Sequence, residues 1–299
     1  MSGFMSVLLR LSLLAAGFVA AGYLAICLLL YFRQTRLIFF PSAAIETTPA
    51  DLGMPYEEVW LPVQQTSNEK IHGWWIPAQG EPVGTLLYLH GNGVNIGANA
   101  GHAKRFHQLG LSVLLIDYRG YGRSEGSFPT EQQIYQDAEI GWRYLTQTRQ
   151  ISPQSIVLYG HSLGGAVAIN LATHHPHAAG LIVQSSFTSI RAIVDRSPRY
   201  RIFPVEQLLH QRFDSLSKAP HLKMPVLFIH GLADAQVPAA MSQTLYAATP
   251  DPKQLYLVPV AGHNNVADTA GVEYLKVVQH FMEQCWQLSK KPKRTGRAS

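Results

Sequence analysis

Cysteine is scarce: the 299 residues hold two, Cys27 in an apolar run and Cys285 in a stretch of helical character, so no disulfide framework can be built and the redox compartment is not encoded. Charge is scarce as well. Only 14% of residues are charged, and the formal net charge of +5 is accounted for by Lys290, Lys291, Lys293, Arg294 and Arg297 near the C-terminus. A nucleic-acid-binding chain would set its basic residues beside aromatic ones on a folded module. None accompanies this tail, so no nucleic-acid partner is expected. Residues 289–299 read as a basic disordered tail, with adhesion to anionic lipid as the competing role. No internal repeat is visible, and no low-complexity block apart from the tail. Metal ligation also lacks a basis. His174, His175 and His177 crowd together, yet no carboxylate or cysteine stands at ligand spacing, so they read as a solvated helix end and no metal is expected.

What the chain does have is apolar surface. At 47% hydrophobic it can bury one sizeable core, and a single α/β domain of this length is ordinary. From Leu11 to Phe32 the sequence LSLLAAGFVAAGYLAICLLLYF has Ser12 as its clearly polar residue, long enough as a helix to cross a ~30 Å hydrocarbon layer. A buried core helix would keep a polar stripe, and a cleaved signal peptide would end its apolar region after ~7–15 residues. The run continues past both limits, which predicts an uncleaved anchor over 1–37, spanning about 11–32. Arg10 and the terminal amine balance Arg33 and Arg36, so the positive-inside count leaves the orientation tied. The aromatic rings of Arg36-Leu-Ile-Phe-Phe-Pro41 are expected at the membrane interface.

Beyond residue 56 the pattern alternates. Tyr56–Val63 and Ile71–Pro77 read as an opening antiparallel pair with a turn at 66–70. Continuous apolar runs follow at 85–90, 112–118, 155–160, 181–186, 225–231 and 253–262, separated by helical stretches at about 98–109, 131–148 and 163–174. Such runs suit a mostly parallel sheet covered by helices on both faces. Residues 188–224 are rich in Arg, Pro and Phe and too long for a simple connection, so they predict a small helical cap inserted in a domain spanning 38–288. An ordinary surface helix with irregular flanks is the alternative.

Gly160-His161-Ser162-Leu163-Gly164-Gly165 comes directly after one apolar run and directly before the helix former AVAINLA. A serine on a tight strand-to-helix turn is held in a strained conformation, and small residues at 160 and 164 let that turn close. With 24 glycines in the chain the string alone is weak, and its context is what raises it. A serine hydroxyl needs an adjacent base, and that base needs a partner to fix its tautomer. Asp234 follows the run at 225–231 and His263 follows the run at 253–262, giving the chain order serine, acid, histidine. Asp117 precedes the serine and reads instead as holding its following turn through a backbone hydrogen bond. His90 and His161 read as packing residues beside reactive turns. Two oxyanion donors are expected: the backbone N–H of Leu163, and that of Asn92 in His90-Gly91-Asn92-Gly93, with Gly93 as the near alternative.

Together these strings resemble the α/β-hydrolase superfamily, and within it the membrane-anchored α/β-hydrolase-domain proteins related to the fungal bud-emergence protein. RLIFFP at 36–41, LHGNG at 89–93, DYRGYGRSEGSFPTE at 117–131, GHSLGG at 160–165, SSFTSI at 185–190, RFDSLSK at 212–218, VLFIHGLADAQVP at 226–238 and AGHNN at 261–265 carry the likeness, over about 36–285. The resemblance implies a cofactor-free hydrolase of the α/β-hydrolase fold with Ser162, Asp234 and His263 in a triad, and leaves the substrate open; the membrane segment and the apolar character of the cap lead to the expectation of a small, lipid-like or medium-chain acyl substrate. Relatives are described as lipases or esterases, as protein depalmitoylases or as serine-peptidase-like proteins. The anchor helix here departs from the lipidated, cysteine-rich N-terminus that the depalmitoylases resemble one another in having.

Overall fold

The computed structural model describes residues 2–63 and 68–290. The basic tail at 291–299 and part of the turn expected at 66–70 therefore lie outside the described residues, and no side chain is described at 289 or 290. Among the described residues one sheet has eight strands: β1 (Glu57–Pro62), β2 (Lys70–Ile76), β3 (Gly84–Leu89), β4 (Leu111–Ile116), β5 (Ile156–His161), β6 (Gly180–Gln184), β7 (Val226–Gly231) and β8 (Lys253–Val258). Their order is β1-β2-β4-β3-β5-β6-β7-β8. The β1–β2 and β2–β4 pairs are antiparallel; the pairings from β3 to β8 are parallel. Every residue of β3, β4, β6 and β7 is buried, the result of placing apolar runs in a sheet covered on both faces.

The chain leaves β3 toward β4 and returns across it to β5, so the strand order reverses between β3 and β5. Open α/β sheets bind ligands at such a reversal, beyond the carboxyl ends of the strands. That crevice is where the loop after β3 and the turn after β5 meet.

Helix α1 (Ser2–Ile38) is continuous and apolar on all sides, and most of its side chains are exposed. At ~1.5 Å per residue, its 37 residues outreach the 11–32 stretch read from sequence. The domain boundary expected at 37/38 falls at its last turn. Helix α2 (Ile96–Gln108) starts on Asn95, whose side chain accepts the Gly97 N–H. Helix α3 (Glu131–Arg143) starts on a reciprocal capping box between Thr130 and Gln133. Helix α4 (Leu163–His174) is buried nearly throughout, as its composition LGGAVAINLATH requires.

Two hydrophobic clusters lie on the two faces of the sheet. One includes residues of α3 and α4 and the other residues of α2. Between β6 and β7 come α5 (Ile190–Asp195), α6 (Val205–Leu208) and α7 (Ser215–Lys218). The expected insertion at 188–224 is present as short helices, but it ends earlier. Phe213 is fully buried against Phe39 and Tyr135, and Leu222 and Met224 join the same core, so from 213 onward the chain is part of the domain's packing. Helices α8 (Ala239–Ala248), α9 (Val266–Ala270) and α10 (Val272–Lys290) are the last helices among the described residues.

The aromatic pair after Arg36 divides. Phe40 is exposed, but Phe39 is 1% exposed and belongs to the core, a correction to the interfacial placement expected for both rings. A ring next to an apolar pocket formed by Phe213 gains more from burial there than at a half-wet interface.

Candidate active site

Ser162 sits between β5 and α4 with φ 53° and ψ −116°, a left-handed conformation that L side chains rarely adopt. The surrounding structure over-determines it. The Ser162 N–H donates to the Gln184 carbonyl at 2.9 Å, and the Ser186 hydroxyl donates to the Ser162 carbonyl at 2.8 Å, so the end of β6 and the residues just after it hold the turn. A Cβ on Gly160 would lie 2.1 Å from the Gly164 carbonyl oxygen, and one on Gly164 would lie 2.0 Å from that of Leu89. Only glycine permits this closure at either position.

The loops after β7 and β8 bring the other two expected residues to this turn. His263 places Nε2 2.9 Å from the Ser162 hydroxyl and Nδ1 2.6 Å from Asp234 Oδ2. The other Asp234 oxygen accepts the N–H groups of Gln236 at 2.9 Å and Val237 at 2.8 Å. Burial alone would raise the Asp234 pKa, but hydrogen bonds from His230, His263 and the Val237 N–H outweigh it and hold the carboxyl well below its usual range. A carboxylate fixed as an ion beside Nδ1 selects the tautomer that leaves Nε2 free to accept the serine proton.

His230 is a member of this cluster that sequence reading missed. Its Nε2–H lies 2.8 Å from the Val237 carbonyl and 3.1 Å from Asp234 Oδ2, while Nδ1 accepts from the Ser242 hydroxyl at 2.6 Å. The carbonyl partner assigns the proton to Nε2, so the ring acts as a donor toward Asp234. Its only sequence signal is the four-residue spacing in His230-Gly-Leu-Ala-Asp234.

His161 also touches this cluster. Its Nε2 lies 3.1 Å from the His263 carbonyl, and burial together with the nearby His263 pushes its pKa down to about 4. His90 is fully buried against Tyr118 and Tyr121, as a packing residue should be. Asp117 holds its following turn through its backbone carbonyl, which accepts the Ser124 hydroxyl at 2.8 Å. Its side chain does something else: Oδ1 accepts the Ile96 N–H at 2.9 Å, fixing the start of α2, and the carboxylate faces His90 and His72. His175 is less solvated than expected: it stacks on Trp142 and lies 2.7 Å from Glu139. Among the described residues no cluster of three metal-ligating side chains occurs.

Both expected oxyanion donors border the serine. Leu163 opens α4, so its N–H has no partner within the helix. Asn92 follows β3, and its side chain does something the sequence did not announce. Nδ2 donates to the Ile38 carbonyl, and Oδ1 accepts from the Phe40 N–H at 3.0 Å and the Tyr121 hydroxyl at 2.7 Å. The loop is thereby tied to the end of α1. A cavity of about 560 Å³ opens above Ser162, walled by Phe40, Asn92, Phe187, Ile193, Tyr200 and Gln236. That volume is ordinary for a small-molecule site.

The reversed strand order, the strained serine turn between β5 and α4 and the pocket at the strand ends define an α/β-hydrolase. Residues 80–217 match the protein family described as serine aminopeptidase, S33. An uncharacterised protein of Mycobacterium tuberculosis is 34% identical over 267 residues, covering 89% of this chain and 92% of that one. The protein bem46 of Schizosaccharomyces pombe is 31% identical over 287 residues, 91% of each chain. An uncharacterised membrane protein of Saccharomyces cerevisiae is 33% identical over 267 residues, 85% of this chain and 90% of that one. The chain belongs to the family of bem46-related α/β-hydrolases. Among solved structures, an esterase of Pyrococcus furiosus superposes with a TM-score of 0.67 at 23% identity, over 82% of this chain and 98% of that one, a likeness of fold.

Proposed function

We propose that this protein is a membrane-anchored serine hydrolase that cleaves a carboxylic ester or thioester through an acyl-enzyme. The observation that carries this reading is the unbroken relay from the Ser162 hydroxyl through both nitrogens of His263 to Asp234. His263 takes the serine proton as the hydroxyl attacks the carbonyl and returns it to the leaving alkoxide or thiolate. Water, deprotonated by the same imidazole, then releases the acid. The backbone N–H groups of Asn92 and Leu163 stabilise the tetrahedral oxyanion, each worth ~3 kcal/mol in such sites. No cofactor takes part. Gly160, His161 and Gly164 shape the turn and Asp234 orients the base.

Helix α1 acts as the anchor. Residues Phe4–Ile38 are apolar enough to span a bilayer, and the yeast relative is named a membrane protein. With α1 in lipid, the pocket lies close to the membrane, and its apolar walls favour a lipid-like acyl substrate. The basic tail adds attraction to anionic lipid.

A fluorophosphonate probe should label the wild type and leave Ser162→Ala unlabelled; equal labelling of both overturns the assignment. Asp234→Asn should keep the fold and lower kcat by about 10⁴-fold. The second reading is a peptidase or amidase acting on small peptides, favoured by the description of the matching family. Turnover of aminoacyl p-nitroanilides with Ser162 dependence would select it over an enzyme that cleaves only p-nitrophenyl esters.

A further inference from the structure

The insertion does not stand free above the strand ends; it leans on α1. Tyr23 donates its hydroxyl to the Ile202 carbonyl at 2.8 Å and stacks on Phe203 with ring centroids 5.7 Å apart. Three turns later Gln34 closes the joint. Its Nε2 reaches the Leu208 carbonyl at 3.0 Å and His210 Nδ1 at 2.6 Å, and its Oε1 accepts the N–H groups of His210 at 2.9 Å and Gln211 at 3.0 Å. Around the second fastening a cavity of about 110 Å³ remains, with Leu30 and Leu37 of α1 on one wall and Phe203, Val205 and Leu208 on the other.

Two properties give this cavity a meaning. It shares Leu37, Ile38, Val194 and Tyr200 with the pocket above Ser162, so the two adjoin across these four side chains. It is also almost wholly hydrocarbon. Gln34 and Tyr200 are the lining residues with polar side chains, and every hydrogen-bonding atom of the Gln34 amide is already engaged. Apolar cavities of about this size, ~150 Å³ in the best-known case, stay dry and take up small apolar molecules. The α1 wall of the cavity, Leu30 to Ile38, straddles the C-terminal end of a span over about 11–32, where acyl chains meet the headgroups.

We propose that the cleft between α1 and the insertion is an acyl-chain site, through which the hydrocarbon chain of a bilayer-resident ester enters sideways so that its carbonyl reaches Ser162. The anchor helix is one wall of the substrate site as well as a tether. This inference rests on the hydrolase reading above and names its substrate class: an ester or thioester of a medium or long aliphatic acid.

The test uses the full chain in lipid nanodiscs, where no detergent competes for the cleft, with p-nitrophenyl acetate and p-nitrophenyl decanoate as probes. The readout is the ratio of kcat/KM for decanoate to that for acetate, which does not depend on the fraction of folded enzyme. Wild type should favour decanoate. Leu208→Trp, which fills the cleft, should lower the ratio by about tenfold or more. Leu208→Ala, which enlarges it without a folding demand, should move the preferred chain upward when the series is extended to p-nitrophenyl palmitate. Ratios unchanged in both variants, with acetate turnover still requiring Ser162, overturn the acyl-chain site and leave the hydrolase reading standing. Acetate turnover that survives Ser162→Ala overturns the hydrolase reading itself.

Discussion

His230 lies 3.1 Å from Asp234 and places a second imidazole on the carboxylate that orients His263. The two rings approach the same oxygen, Oδ2, while backbone N–H groups occupy the other. Asp234 is thus held from four directions and cannot rotate away from the base.

His230→Ala removes one of those holds and strands the buried Ser242 hydroxyl. Losing a hydrogen bond to a charged group should lower kcat by about 10- to 100-fold with KM little changed. The acid limb of the kcat/KM profile should move to slightly higher pH, because a carboxylate sharing less of its charge stabilises the imidazolium more. His230→Gln, which can still donate, should recover part of the loss. An unchanged kcat and pH profile in the alanine variant would remove His230 from the machinery.

Ser162 should cost the fold stability. A side chain held at φ 53° carries strain of ~1–3 kcal/mol that glycine does not feel. Ser162→Gly and Ser162→Ala should both be inactive, with the glycine variant melting about 2–6 °C higher. Equal melting temperatures would show that the turn is not strained.

Buried histidines should make stability fall as the pH drops below 6.5, against an opposing contribution from Asp137, whose carboxyl burial pushes up to about 6. His161 has its pKa pushed down to about 4 by burial and by His263, and burial drives His102 well below its ordinary value of 6.5 as well. Between pH 6.5 and 4 the unfolded chain takes up protons that the folded one refuses. The stabilisation is therefore complete above 6.5 and drains away as the pH drops toward 4, by up to about 3 kcal/mol for His161. Asp234, whose pKa is lowered, contributes in the same direction at still lower pH. Chemical denaturation at pH 7 and pH 4.5 should show the loss, and His161→Gln should flatten the slope by about one proton.

Gln34→Ala should loosen the insertion. It leaves the His210 and Gln211 N–H groups without their acceptor, at ~1–3 kcal/mol each. Trypsin should then cut after Arg199 or Arg201 about tenfold faster than in wild type, with the remaining domain resistant. Unaltered cleavage would mean that the joint bears no load.

The sheet was readable because continuous apolar runs record burial on both faces locally. The runs at 85–90, 112–118 and 155–160 each fall within one or two residues of a strand. Ser162, Asp234 and His263 could be picked out for a related reason: each follows a strand in the order the fold requires. What escaped depends on partners far along the chain. Asn92 binds the backbone of Ile38 and Phe40 from more than fifty residues away, and Gln34 meets His210 across 176. Phe213 closes the insertion early because Phe39 and Tyr135 wait for it, which no local period reveals. The Asp117 backbone holds its own turn through Ser124, a local bond, whereas its carboxylate reaches Ile96, twenty-one residues back along the chain.

Helix α1 runs without a break from Ser2 to Ile38 and is clamped at Tyr23 and Gln34. With the helix as the span, the domain cannot swivel on its stalk, and Ser162 rides at one fixed altitude over the lipid headgroups. For the bilayer-resident ester proposed above, encounters would then become a search in two dimensions, governed by how densely it is spread across the sheet of lipid and not by its concentration in the surrounding water.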